Sequence, residues 1–126
     1  MTSSEMTEAA GYEAAARMLA GQDAPTAFLA SSLITAMGVR RAAEDAGLKL
    51  GRDLSVVTHD DELSYMHNGT DVPIYTATRS SVREAGRLTA QMLLDRIAEP
   101  MGAERHTLLE ATLVVGQSTA IGRAHV

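Results

Sequence analysis

Two adjacent carboxylates follow the most strand-like stretch of the sequence. Residues 54–58 read Leu-Ser-Val-Val-Thr, and His59, Asp60 and Asp61 come directly after them. A short β-branched and aliphatic run is typical of a buried parallel strand, and open α/β sheets bind their ligands at the carboxyl ends of such strands. A carboxylate there can accept hydrogen bonds from ligand hydroxyls, which makes Asp60 the first candidate binding residue. The same side chain also suits a local cap of the following turn.

The acidic pair has two further interpretations. Four side chains in this region resemble a metal-ligand set: His59, Asp61, His67 and Asp71. Strand alternation places His59 and Asp60 on opposite faces, and nothing fixes the loop residues, so we expect no metal. A phosphoacceptor domain would need its acids after the first strand and a lysine late in the chain, whereas Lys49 is the only lysine. With no nucleophile elbow, phosphate loop or thiol, the sequence predicts no catalytic residue, no cofactor and no enzyme.

Composition and charge exclude other classes of protein. The 126 residues carry a net charge of −5, and 45% are hydrophobic although only 3% are aromatic. Nucleic-acid affinity comes largely from clustered cations, so we expect the chain alone not to bind DNA. The absence of cysteine excludes disulfides and thiolate zinc sites. The first thirty residues show no signal peptide and no membrane span, and we expect a cytoplasmic protein without a membrane partner.

Helix and strand signals alternate along the chain. Capping residues and apolar periodicity predict helices from Thr7 to before Gly21, from Ser31-Ser32 to Gly47, and from Ser81 towards Ile97. Strands are predicted at 26–30, 54–58, 74–78 and 109–115, with a long polar loop at 62–73. This order indicates one α/β domain, a parallel sheet flanked by helices. Because a helix begins almost at the first residue, we expect the first strand of the fold to be missing.

The predicted helices and strands also have predicted faces. The first helix is expected to pack on the sheet, and the second to bury Ala36, Val39, Ala43 and Ala46. The core face of the third helix is predicted to contain Val82, Ala85, Met92, Leu93 and Ile97. The last strand is expected to be an edge strand that buries Leu109, Ala111, Leu113 and Val115.

Several short motifs lie at residues 25–30, 36–42, 46–48, 53–61, 76–79 and 113–120. In their order and spacing, these motifs resemble the lactose-repressor and galactose-repressor family of transcription regulators. The resemblance implies that residues 1–126 form a single effector-binding C-terminal subdomain of a type I periplasmic-binding-protein-like fold. It also implies that the DNA-binding module and the N-terminal subdomain are absent from this chain.

In that family a small effector, often a sugar or nucleoside, binds between two subdomains and alters how paired helix-turn-helix modules engage the operator. The resemblance places Asp60 on the ligand-binding aspartate, Ser32 on a pocket asparagine, and Ser80 and Val82 on pocket positions. The chain departs from the family at three places: Ser32-Leu33 replaces Asn-Asp, His59 replaces an aromatic residue, and Ser80 replaces a common glutamine. Amides and aromatic rings read sugar hydroxyls and ring faces, so these departures disfavour a simple hexose.

The resemblance also implies a homodimer. Its two-fold contact would use seven residues: Thr7, Gly11, Tyr12, Met37, Arg41, Tyr65 and Met66. The function implied is the effector-binding and dimerisation part of a LacI-type regulator that touches operator DNA only through the absent module. The alternative is the solute-binding component of a sugar transporter, which shares the fold and would be marked by a signal peptide upstream.

Overall fold

The computed structural model describes residues 5–63 and 65–121, so Ser64 of the predicted polar loop lies outside the described residues. The elements follow the order α1 (Glu8–Leu19), β1 (Ala27–Leu29), α2 (Leu33–Asp45), β2 (Ser55–Asp60), β3 (Thr76–Arg79), α3 (Val82–Ala98) and β4 (Thr112–Val114). The predicted order of helices and strands is confirmed. β3 begins two residues later than predicted, and β1 and β4 are shorter.

Hydroxyl side chains set the starts of the helices. Thr7, Ser32 and Ser81 accept hydrogen bonds from backbone N–H groups three residues later, at 3.1, 3.3 and 3.1 Å. Each bond satisfies a donor that the first helical turn leaves unpaired. Glu84 forms an ion pair with Arg87, one turn further along α3. Gly47, with a φ of 74°, closes α2 as the sequence predicted.

Helix α1 packs mainly on α2, and not on the sheet as predicted. Gly11 lies against the backbone carbonyl of Thr35, and Gly38 lies against the backbone of Glu8 and Tyr12. Both glycines are buried and leave no room for a side chain, which lets the two helices approach closely. Helix α2 in turn covers β2 and supplies much of the core, with these residues buried: Leu33, Ala36, Val39, Ala42 and Ala43. Ala46, also predicted to face inward, caps the helix and is exposed.

The sheet has the order β1-β2-β3-β4. The predicted parallel arrangement is confirmed for β1, β2 and β3, whereas β4 runs antiparallel to β3. The cause lies after α3, where Thr107 contacts Met92 and Arg105 binds Asp95 at 2.7 Å. These contacts direct the chain back along α3 to the carboxyl ends of the parallel strands. β4 therefore starts beside the end of β3 and runs antiparallel to it.

Two predicted core faces are wrong for the described residues. None of the described side chains of α3 is buried, and Val82, Leu93 and Ile97 are 46%, 60% and 66% exposed. β4 lies at the sheet edge as predicted, but Leu113 on its predicted inner face is 67% exposed. The other residues of that predicted inner face are exposed as well: Leu109, Ala111 and Val115. Val114 is instead the partly buried residue of β4, because it lies opposite Ala77 on the face that α2 covers.

The segment after β4 ties the sheet together at its amino edge. Ser118 is fully buried, and its hydroxyl donates to the carbonyl of Val56 and accepts from the N–H of Thr76 at 2.9 Å. The carbonyl of Ser118 accepts from the N–H of Val56 at 2.9 Å. One residue therefore bridges β2 and β3 where the two strands have not yet paired with each other.

Candidate functional site

Asp60 is the last residue of β2, and its side chain is only 4% exposed. Oδ1 accepts a hydrogen bond from the N–H of Glu62 at 2.9 Å, and Oδ2 lies 3.6 Å from Nε of Arg79. Oδ1 therefore caps the turn, which is the local role that the sequence also suggested for Asp60. A carboxylate has about four acceptor positions, so capacity for a ligand remains at each oxygen.

Arg79 lies between two carboxylates. Its Nε is 3.6 Å from Asp60 and 3.4 Å from Glu62. Glu62 has a φ of 57°, a left-handed conformation that is uncommon outside glycine and concentrates at functional sites. These three side chains line a cavity of about 410 Å³ between β3, the loop 62–73 and Val114. Asp71 lines the same cavity, so three carboxylates against one guanidinium leave it with a net negative charge.

His59 lies on the opposite sheet face from Asp60, as strand alternation predicted. Its Nδ1 is 2.8 Å from Oγ1 of Thr78, and its Nε2 is 3.1 Å from Oγ of Ser80. The structure thus joins two of the candidate residues, His59 and Ser80, by a hydrogen bond. It adds Thr78, which the parallel register places beside His59.

The other candidate ligand residues have local partners. Ser32 follows β1 and caps α2, and its hydroxyl is bonded to the N–H and Oγ1 of Thr35. Val82 begins α3, and its N–H donates to the carbonyl of Asp61 at 3.1 Å. Because β1, β2 and β3 are parallel, Ser32, Asp60 and Val82 all lie at the carboxyl edge of the sheet. The candidates therefore share one edge but occupy two faces.

Sequence reasoning did not single out Glu62, Thr78 or Arg79 as site residues. Thr78 and Arg79 become visible only through the register of β3, which pairs Thr78 with His59 and Arg79 with Asp60. No sequence signal marks the left-handed conformation of Glu62.

Part of the predicted dimer surface forms one cluster on α1 and α2. The guanidinium of Arg41 lies 4.3 Å from the ring centroid of Tyr12, a cation–π contact, and 3.5 Å from Glu8. The hydroxyl of Tyr12 donates to Asp45 at 2.6 Å. This hydrogen bond, together with the charge of Asp45, raises the pKa of Tyr12 above its usual value. The cluster fixes two large side chains on the outside of the helix pair.

The remaining residues of that predicted surface differ in exposure. Met37 and Tyr65 are 44% and 76% exposed. Gly11 is buried between α1 and α2, so it lies outside any exposed surface, which corrects the expectation for this residue. Thr7 acts as a helix cap, and Met66 is partly buried against the core.

The described residues contain no group of three or more His, Cys, Asp or Glu side chains arranged to hold a metal ion. Within the same part of the chain, every helix is too short or too polar to cross a membrane. At the carboxyl edge of the sheet, the described side chains form hydrogen bonds and ion pairs.

The fold agrees with comparisons to known proteins. The profile of the family described as periplasmic binding protein-like domain matches residues 1–119. The chain belongs to this family. A curated relative, the HTH-type transcriptional regulator AglR of Rhizobium meliloti (strain 1021), is 39% identical over 92% of the chain and 33% of its own length. The chain thus spans about a third of the curated relatives that it matches.

Solved structures of LacI-type regulators share the fold. A LacI family transcriptional regulator from Enterococcus faecium, solved with bound ribose, has a TM-score of 0.74 and 27% identity, over 92% of this chain and 42% of its own. The lac repressor dimer bound to operator and the anti-inducer ONPF has a TM-score of 0.77 and 26% identity, over 91% of this chain and 39% of its own. In the described part of the chain, the mostly parallel sheet with its three helices thus has the fold of part of a periplasmic-binding-protein-like effector domain.

Proposed function

We propose that this chain is the effector-binding and dimerisation part of a LacI-type transcription regulator that acts in the cytoplasm. The observation that supports it most is the buried carboxylate of Asp60 at the carboxyl edge of a sheet with the fold of LacI-type regulators. Open α/β sheets bind ligands at this edge. In the whole regulator, operator DNA would be contacted by a helix-turn-helix module outside residues 1–126.

The exposed face of α3 supports the assignment of the chain to one part of a larger effector domain. Leu93, Leu94 and Ile97 are each at least 60% exposed, and monomeric proteins rarely leave large contiguous apolar patches in water. We assign this face to contact with the other subdomain of the effector domain. The effector would then bind between that subdomain and the carboxyl edge that carries Asp60 and Ser32.

The charges at the site favour a neutral, hydroxyl-bearing effector such as a sugar or a related polar metabolite. Asp60 and Glu62 outnumber Arg79, and all three line the same cavity. A net negative site repels phosphorylated ligands and accepts hydrogen bonds from hydroxyls. Ser32 has no amide, and the small polar imidazole of His59 takes the place of a larger apolar aromatic ring, which disfavours a simple hexose.

The competing function is the solute-binding component of a sugar transporter, which shares this fold. The curated relatives favour the regulator, because AglR and the PurR proteins are named as HTH-type transcription regulators. Upstream sequence separates the two functions directly. A helix-turn-helix module supports the regulator, and a signal peptide supports the transporter component.

The test of the regulator uses the full-length gene product. Thermal-shift screening against sugars, polyols and nucleosides, with ribose among them, should find a ligand that raises the melting temperature. That ligand should then change the affinity of the protein for its own promoter DNA in an electrophoretic assay. A ligand that binds tightly without any effect on DNA binding would contradict the proposal.

A further inference from the structure

Thr78 and Ser80 hold both ring nitrogens of His59, at 2.8 and 3.1 Å, on the sheet face opposite Asp60. A neutral imidazole has one donor and one acceptor nitrogen, whereas a charged imidazole donates from both. One of the two hydroxyls must therefore donate its proton to the neutral ring. When the ring is charged, both hydroxyls accept from it and both hydroxyl protons are free for other partners.

We propose that His59 is a positioning residue that sets the hydrogen-bonding character of Thr78 and Ser80 towards the effector. This inference rests on the proposed function, because it concerns the same edge of the sheet. With a neutral ring, one hydroxyl offers only lone pairs to a ligand. With a charged ring, that hydroxyl also becomes a donor, and the subsite accepts a carbonyl or ring oxygen of the ligand.

The hydroxyls of Thr78 and Ser80 are the hydrogen-bond partners of the His59 ring among the described residues. β1 contributes Ala27 and Leu29 to this face, neither of which titrates, and Arg79 lies on the other face beside Asp60. The acids on adjoining segments are Asp61, which follows β2, Glu84, which is paired with an arginine of α3, and Glu110, which lines a pocket together with Ser80. Among the described residues no carboxylate forms an ion pair with His59.

The test measures the ratio of charged to neutral ring of His59 by nitrogen NMR, with all variants at the same pH. Hydrogen bonds to a charged group are about twice as strong as neutral ones, so removal of a hydroxyl disfavours the charged ring. We expect Ser80→Ala and Thr78→Val each to lower the ratio of charged to neutral ring about threefold. Ser80→Thr keeps a hydroxyl and should restore the ratio. Thr112→Val, which removes an exposed hydroxyl from β4, is the matched control and should leave the ratio unchanged.

The outcomes separate this inference from the proposed function. Equal ratios in the unaltered protein, Ser80→Ala and Thr78→Val would overturn the inference, as would a Ser80→Thr variant that behaves like the alanine variant. Neither Thr78 nor Ser80 is buried, so both variants should fold, which the amide signals of Val56 and Ala36 in the core report. If no effector is found but the hydroxyl variants lower the charged fraction of the ring, the proposed function is contradicted. The hydrogen bonds between His59 and the two hydroxyls are then still supported.

Discussion

Asp60 has a structural and a proposed binding role in the same carboxylate. Oδ1 holds the N–H of Glu62, which sits in a left-handed conformation that costs of order 1 kcal/mol for a residue with a side chain. Oδ2 faces Arg79 and keeps acceptor capacity at the edge of the cavity. A substitution at Asp60 therefore acts on the turn and on the proposed ligand site together.

Asparagine at Asp60 should separate these roles. Asp60→Asn retains an oxygen for the N–H of Glu62 but turns the other half of the group into a donor that faces Arg79. In the full-length protein we expect the affinity for a hydroxyl-bearing effector to fall by about 1.5–3 kcal/mol, or roughly tenfold to hundredfold. Calorimetry measures this loss, and operator affinity without effector should stay near normal.

Ser32→Ala is the comparison for the asparagine variant. The hydroxyl of Ser32 is already bonded to Thr35, and a neutral hydroxyl anchors a ligand less strongly than a carboxylate. The alanine variant should therefore lose less effector affinity than Asp60→Asn. Unchanged binding in Asp60→Asn would show that Asp60 serves only the turn, and an unfolded variant would assign it to the core.

The close contact of α1 and α2 depends on single glycines. A methyl group at Gly38 would clash with the carbonyl of Glu8 and lie 2.6 Å from the nitrogen of Tyr12, and a backbone cannot move aside as a flexible side chain can. We expect Gly38→Ala to lower the free energy of unfolding by about 2–3 kcal/mol, as measured by urea denaturation.

Gly86→Ala is the matched control for that clash. Gly86 also lies in a helix, but a methyl group there meets no atom within 4 Å. Since alanine favours a helix by up to about 1 kcal/mol over glycine, this variant should be neutral or slightly more stable. Equal effects at the two glycines would contradict the packing described for α1 and α2.

At the scale of elements, substitutions on the exposed face of α3 should change the stability of this chain and of the full-length protein differently. Replacement of Leu93 and Ile97 by serine removes side chains that are at least 60% exposed here. In the 126-residue chain this should change the free energy of unfolding by less than about 0.5 kcal/mol. In the full-length protein, where we propose that the face is covered, each replacement should cost about 1.5–3 kcal/mol.

Val56→Ala serves as the reference for that comparison. Val56 is fully buried in the core of this chain, so its truncation should destabilise both the chain and the full-length protein. Denaturation curves of the two proteins give the measurement. A small effect of the double serine variant in both would remove the proposed contact of α3.

The structural features that sequence predicted are those with local causes. Thr7, Ser32 and Ser81 could be recognised as caps because each satisfies donors three residues away, and the strand at 54–58 could be recognised from its β-branched run. The direction of β4 depends on the path of residues 99–108, which carry no periodic pattern. The exposure of α3 could not be predicted either, because we assign its apolar face to a contact outside this chain. Arg79 lies beside Asp60 because of the register between β2 and β3, which depends on residues far apart in the sequence.

At the scale of the whole molecule, charge predicts behaviour towards DNA. The chain carries a net charge of −5, and duplex binding depends on cations that displace counterions. We expect no specific electrophoretic shift of promoter DNA by residues 1–126 at moderate salt, whereas the full-length regulator should give one. A specific shift by the chain alone would contradict this expectation.

Self-association is expected through the outer face of α1 and α2. The cluster of Tyr12 and Arg41 presents a ring and a guanidinium, two groups common at interface anchors, beside the exposed Met37. Sedimentation of the chain should show a dimer whose population rises with concentration. Arg41→Gln should weaken that dimer, and Arg87→Gln, an equivalent change on α3, should not. Only monomer at high protein concentration would contradict the proposed surface.

The position of Ser118 bears on the order of events during synthesis. Its hydroxyl joins strand residues that precede it by 62 and 42 positions in the chain. As the protein is made from its amino end, β2 and β3 leave the ribosome with Val56 and Thr76 still lacking this partner. The amino edge of the sheet can close only after nearly the whole of residues 1–126 has emerged, so the unfinished domain remains open to proteases and chaperones until then.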